Sequence, residues 1–152
     1  MTSPSERLQQ LGIQLPKVVP PVAAYTPAII VGDEVWTSGQ LPISDGALSA
    51  TGIVGAAVTE DEATEAAGVS ALNALAAAAS VAGGIDKIDR ILRVCVYVAS
   101  SPQFTRQPQV ANGASKLLGE VFDSPHVRSA VGVSVLPLNA PVEVEIVARV
   151  RS

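Results

Sequence analysis

Between Thr59 and Gly84 the chain encodes a long helix whose side chains are so small that only close packing against another layer can use it. Thr59-Glu60-Asp61-Glu62 is a capping box: the Thr59 hydroxyl can accept from the backbone N–H three residues on, and Glu62 can reach back. The acids suit the positive end of the helix dipole. Ala63, Ala66, Ala67, Ser70, Ala71, Ala74, Ala77, Ala78 and Val81 then recur at three-to-four spacing, and Gly83-Gly84 closes the helix. Such a stripe lets a helix lie close to a sheet. The stretch 66–82 is interrupted by Gly68, Ser70, Asn73 and Ser80, which predicts a buried helix rather than a membrane span.

The segments around this helix supply the sheet. Ala28-Ile29-Ile30-Val31 and Glu34-Val35-Trp36-Thr37 flank Gly32-Asp33 and predict a hairpin. Ile91–Val98 is β-branched enough for a central strand, with Arg93, Cys95 and Tyr97 on one of its faces. Gln109–Phe122 carries Val110, Ala114, Leu117, Leu118 and Val121 on one helical face. Ser129–Val135 and Val142–Val150 read as strands joined through Leu136–Pro141. At the start, Ser5 precedes a short helical pattern from Glu6 to Leu11, and Pro16–Pro21 forces an extended connection. The loop 43–58 is expected to hold little regular structure. The order ββ, α, β, α, ββ predicts a single α+β domain, a mixed β-sheet with two helices packed on one face. Residues 1–22 read as an N-terminal arm and 23–152 as the domain proper.

Composition narrows the function. The chain has 152 residues, 48% hydrophobic and 16% charged, enough apolar material for one full core. Its net charge of −4 is opposite to that of a phosphate-neutralising surface, so no nucleic acid partner is expected. One cysteine and one histidine build neither a disulfide framework nor a Cys/His zinc site, and the start lacks a basic region followed by an apolar run. The expectation is a cytoplasmic protein with no metal, no cofactor and no membrane partner. Phosphate-binding glycine fingerprints, HExxH and nucleophile elbows are missing, and a triad of His126, Ser129 and a distant Asp has no motif behind it. Cys95 reads as a small packing residue. Arg128, at the mouth of a strand, and Glu143 and Glu145, on one face of the next, would be cross-sheet ion pairs if purely structural.

Several motifs in linked order carry more. Tyr25, Ser38-Gly39-Gln40-Leu41-Pro42, Asn112, Arg128-Ser129-Ala130-Val131, Leu136-Pro137 and Val142-Glu143-Val144-Glu145 together resemble the Rid (YjgF-type) family of reactive-intermediate imine and enamine deaminases. The resemblance runs from about Tyr25 to Val150. It implies a chorismate-mutase-like fold and a homotrimeric, barrel-like assembly with clefts between subunits, where 2-imino acids are hydrolysed to 2-oxo acids and ammonia. In that family the arginine matching Arg128 pairs with the substrate carboxylate, and the acid matching Glu143 orients or activates water. Tyr25, the Gly39 backbone, Asn112 and the Ala130 carbonyl match the other binding positions. The guanidinium suits this role because its forked donors fit a carboxylate. His126, two residues before Arg128, either titrates in the cleft or caps a loop. The arm and the longer loop at 43–58 set the chain apart from compact members. Three rival readings are a carboxylate-binding trimer without turnover, a ribonuclease, and an interaction protein with exposed apolar surface.

Overall fold

The computed structural model describes residues 2–21 and 23–151. Helix α1 spans Pro4–Gln10, and its cap is Ser3 rather than Ser5. Ser3 Oγ accepts from the Glu6 amide at 3.3 Å, Glu6 accepts from the Ser3 amide at 3.2 Å, and Pro4 takes the first helical position, where no N–H is needed. Ser5 is thereby released for another task. Its amide and hydroxyl donate to Asp86 at 2.9 and 2.6 Å, pinning the helix to the turn at Ile85–Lys87, while Leu8 enters the core.

Strands β1 (Ala28–Val31) and β2 (Glu34–Thr37) form the expected hairpin. The following loop holds one small two-stranded piece, β3 (Ile43–Ser44) with β4 (Ala47–Leu48), closed by Asp45-Gly46 with both residues at positive φ. Helix α2 covers Glu60–Ala82 with the Thr59 capping box in place and ends at Gly83. By length and composition it could cross a membrane, yet Ala63, Ala67, Ala71, Ala74 and Ala77 are fully buried inside the protein. Strand β5 runs Ile88–Ala99, longer than its apolar centre, because register shifts at both Ile88/Arg90 and Ile91/Arg93 let its polar start keep pairing. Helix α3 (Gln107–Phe122), β6 (Val127–Val133) and β7 (Val142–Val150) complete the domain.

The five-stranded sheet has the order β1-β2-β7-β5-β6. It is mixed: β5 and β6 are parallel, joined through α3, and β7 pairs antiparallel with both β2 and β5. Helices α2 and α3 cover one face, over Val35, Val94, Val96, Val98, Val142, Val144, Ile146 and Ala148. The two helices cross closely enough that a Cβ on Gly113 would lie 2.0 Å from the Thr64 carbonyl oxygen. That contact lies between the helices and off the alanine stripe, whose alanines are buried in the core beneath. The opposite face of the sheet is open. One row across it, Ile29, Trp36, Val147, Arg93 and Val127, follows the pairing register, and Ile29, Val31, Trp36, Val127 and Val131 on that face are 43 to 68% exposed.

Candidate functional site

The residues singled out in the sequence gather into two clusters on opposite faces of the sheet. The first is built on β6 and α3. Arg128 lies opposite Val94, hence on the helix-covered face, at the outer edge of the sheet. Pro108, Asn112 and Ser115 succeed one another at helical spacing along the facing side of α3. Arg128 Nη1 donates to Asn112 Oδ1 at 2.8 Å and to Ser115 Oγ at 3.1 Å, and Nη2 donates to the Pro108 carbonyl at 3.2 Å. A guanidinium has five N–H donors, so these three bonds aim the group and leave donors over. Among the described residues the ion pairs are Arg7–Asp123, Arg106–Glu60, Arg149–Asp89 and Arg151–Asp89, and Arg128 belongs to none. The side chain is exposed, and every partner it has is neutral. An anion arriving here would meet a fixed, uncompensated cation. Ala130 follows on the same face, opposite Val96.

His126 joins this cluster through Ser115, its Nε2 lying 3.0 Å from Ser115 Oγ. Burial, and then the neighbouring Arg128 cation, push the imidazole below its ordinary titration range, so it stays neutral at neutral pH. Its Nδ1 is buried and finds no partner among the described residues. Ser115 therefore ties the ring to the guanidinium. Sequence reading passed over it; the signal was its position three residues after Asn112.

The second cluster lies at the head of β2 and β7. Gln40 exchanges both backbone hydrogen bonds with Val144, at 2.8 and 3.0 Å, which brings Gly39 beneath Glu143. A Cβ on Gly39 would sit 2.6 Å from the Glu143 carboxyl carbon, so only glycine allows that carboxylate to rest on the strand. Glu143 is opposite Tyr97, on the open face. Burial first, and the charge of Glu145 second, raise its pKa above the ordinary carboxylate value. Glu145 is held separately: the Tyr97 hydroxyl donates to its Oε1 at 2.7 Å. Tyr97 is itself held well above the usual phenol range, chiefly by Cys95 and then by Glu145. The cross-sheet ion pairs that would explain Glu143 and Glu145 structurally are not among those found in the described residues. Tyr25 and Gly39 line a shared cavity with the end of the N-terminal arm.

Arg128 with Asn112, Ala130 and His126 thus forms one group, and Tyr25, Gly39 and Glu143 another. The sheet separates them. A family model described as "YjgF/chorismate mutase-like, putative endoribonuclease" matches residues 5–150. The chain belongs to this family. Its relatives include Protein TCP17 of Trypanosoma cruzi, 39% identical over 141 residues covering 91% of this chain and 88% of that protein. The structure of Atu1372 from Agrobacterium tumefaciens, a protein of unknown function, has 39% identity and a TM-score of 0.88, covering 97% of this chain and 92% of the other. A family protein from Shewanella oneidensis carrying the same endoribonuclease description reaches a TM-score of 0.94 at 32% identity, covering 98% and 100%. The chain has the α+β chorismate-mutase-like architecture and shares it closely with these two structures.

Proposed function

We propose that the chain is an imine and enamine deaminase that works as a homotrimer, with each site completed between two subunits. The observation that carries the reading is Arg128: a cation oriented by Asn112, Ser115 and Pro108, exposed, and free of any carboxylate partner among the described residues. A small acid is the ligand such a group suits. Glu143 and Arg128 occupy opposite faces of one sheet, so a site using both draws them from different copies. The open apolar face is the surface on which those copies would associate.

The chemistry asks little of the protein. Arg128 of one copy holds the carboxylate of a 2-iminium acid, and Glu143 of the next takes a proton from a water attacking the imine carbon. A C–O bond forms, and the C=N pair moves onto nitrogen. Glu143 then returns the proton to the nitrogen; the C–N bond breaks as an oxygen pair forms the C=O, the hydroxyl proton passes through Glu143 to the departing ammonia, and 2-oxo acid and ammonium leave. A raised Glu143 pKa suits a group that must both take and give a proton. Tyr25 and Asn112 line and orient the cleft.

The test couples an amino-acid oxidase to the protein in the presence of semicarbazide. The wild type is expected to suppress semicarbazone formation by hydrolysing the imine first, and Arg128→Ala to restore it. No suppression for any amino acid would overturn the deaminase reading. Retained binding of 2-oxo acids in that case would favour the non-catalytic carboxylate-binding trimer, a reading that the Arg128 cluster supports by itself. The endoribonuclease of the family's description draws no support from a chain with net charge −4.

A further inference from the structure

The cavity beside Gly39 has a composition that bears on which acid is taken. Its walls come from distant parts of the chain: Val19, Pro20 and Pro21 of the arm, Tyr25, Leu41, and Leu138 from the turn between β6 and β7. No charged side chain lines it among the described residues. Its volume is about 50 Å³. At 10–15 Å³ for one water-sized group, that is room for about three to five heavy atoms.

These walls are fixed before any ligand arrives. The buried Asn73 of α2 donates from Nδ2 to the carbonyls of Leu41 and Ile43, at 3.0 and 2.9 Å. Leu138 and Asn139 both take left-handed backbone conformations, φ 58° and 61°, which cost non-glycine residues energy. The Gly52 amide pins this turn by donating to the Asn139 carbonyl at 2.8 Å. The strained pair presents Leu138 at the cavity rim, largely exposed. Pro20-Pro21 has preset φ angles, so the arm closes the cavity as a stiff strap. Gly39, the residue against which the Glu143 carboxylate rests, is also part of the lining.

We infer that this chamber receives the side chain of the substrate and selects 2-imino acids with uncharged aliphatic side chains of about three to five heavy atoms. The inference rests on the deaminase reading, in which the reacting carbon lies near Glu143. An isobutyl or isopropyl group fits the volume and meets apolar walls. A carboxylate buried there would find no cation among the walls and would lie near the Glu143 carboxylate at Gly39. The arm thus sets specificity, an office separate from the chemistry at Arg128 and Glu143.

The experiment compares imines generated from leucine, alanine and glutamate, using the wild type and Leu138→Arg. Position 138 is exposed, so the variant keeps the fold. The wild type is expected to process the leucine-derived imine with kcat/KM about tenfold or more above the glutamate-derived one. Leu138→Arg should reverse that order by placing a cation at the rim. Equal wild-type rates for leucine and glutamate imines, or an unchanged ratio in the variant, would overturn the inference while leaving deamination standing. If no imine is hydrolysed, the deaminase reading fails, and calorimetry with 4-methyl-2-oxopentanoate and 2-oxoglutarate reads the chamber directly. A preference for the first that Leu138→Arg reverses sustains the chamber, and equal or absent binding overturns it.

Discussion

Glu143 and Glu145 are two residues apart on one strand face and chemically identical, yet their surroundings divide them. Tyr97 holds Glu145 by a direct hydrogen bond, whereas Glu143 rests half-buried on Gly39 with its pKa raised. Glu145→Gln removes the second cause of that rise and leaves burial in place. The Glu143 carboxyl should then ionise at lower pH, and the rising limb of kcat/KM against pH should move toward acid. An unmoved limb would mean that another group controls it. His126 makes a prediction of opposite kind. Its folded-state pKa lies below the ordinary imidazole value of about 6.5, so the unfolded chain binds the extra proton more readily. Stability contributed by the neutral ring is complete above about 6.5 and is lost as pH falls below it. His126→Gln should flatten the decline in urea midpoint between about pH 6.5 and 5. Arg128 and Glu143 were legible as candidates from a pattern of residue types and order. That they face away from each other was not, because relative facing depends on the register of β6 and β7 against β5, a non-local property.

At the scale of elements, the crossing of α2 and α3 is a commitment to close approach. Gly113 on α3 meets the Thr64 carbonyl of α2 so tightly that an added methyl group would lie 2.0 Å from oxygen. Helix propensity alone favours alanine over glycine by about 1 kcal/mol. Backbone cannot yield as a flexible side chain can, so overpacking dominates, and Gly113→Ala should cost about 2 kcal/mol or more. The urea midpoint should fall at constant slope. A stabilised variant would show that the helices can separate without penalty. The limits of α2 were readable because Thr59, Glu62 and Gly83 act within a few residues of themselves. The start of α1 is equally local, since Ser3 and Glu6 have the spacing of a capping box, but Ser5 offers a second serine two residues on and obscures it. The true extent of β5 was hidden for another reason. Its first residues are polar, and they stay in the ladder only because bulges readjust the pairing with β7.

For the molecule as a whole, the open sheet face is the chief unresolved surface of a single copy. Ile29, Trp36, Val147, Arg93 and Val127 cross it in one row, and the helices leave it uncovered. Trp36→Asp should convert the protein to a monomer by sedimentation, leave its far-ultraviolet dichroism intact and abolish deamination. A variant that still sediments as an oligomer would remove this face from the contact. Composition foretold a complete core but not this surface, since outward valines and inward ones look alike until a sheet assigns them sides. The separation of Arg128 from Glu143 reaches beyond biochemistry into inheritance. A cell carrying one gene copy with Arg128→Ala and another with Glu143→Gln makes only defective chains. If the proposed rings of three form, random mixing nevertheless pairs an intact arginine with an intact glutamate at about a quarter of the junctions. Two null alleles of one gene should therefore rescue each other, while either alone stays null.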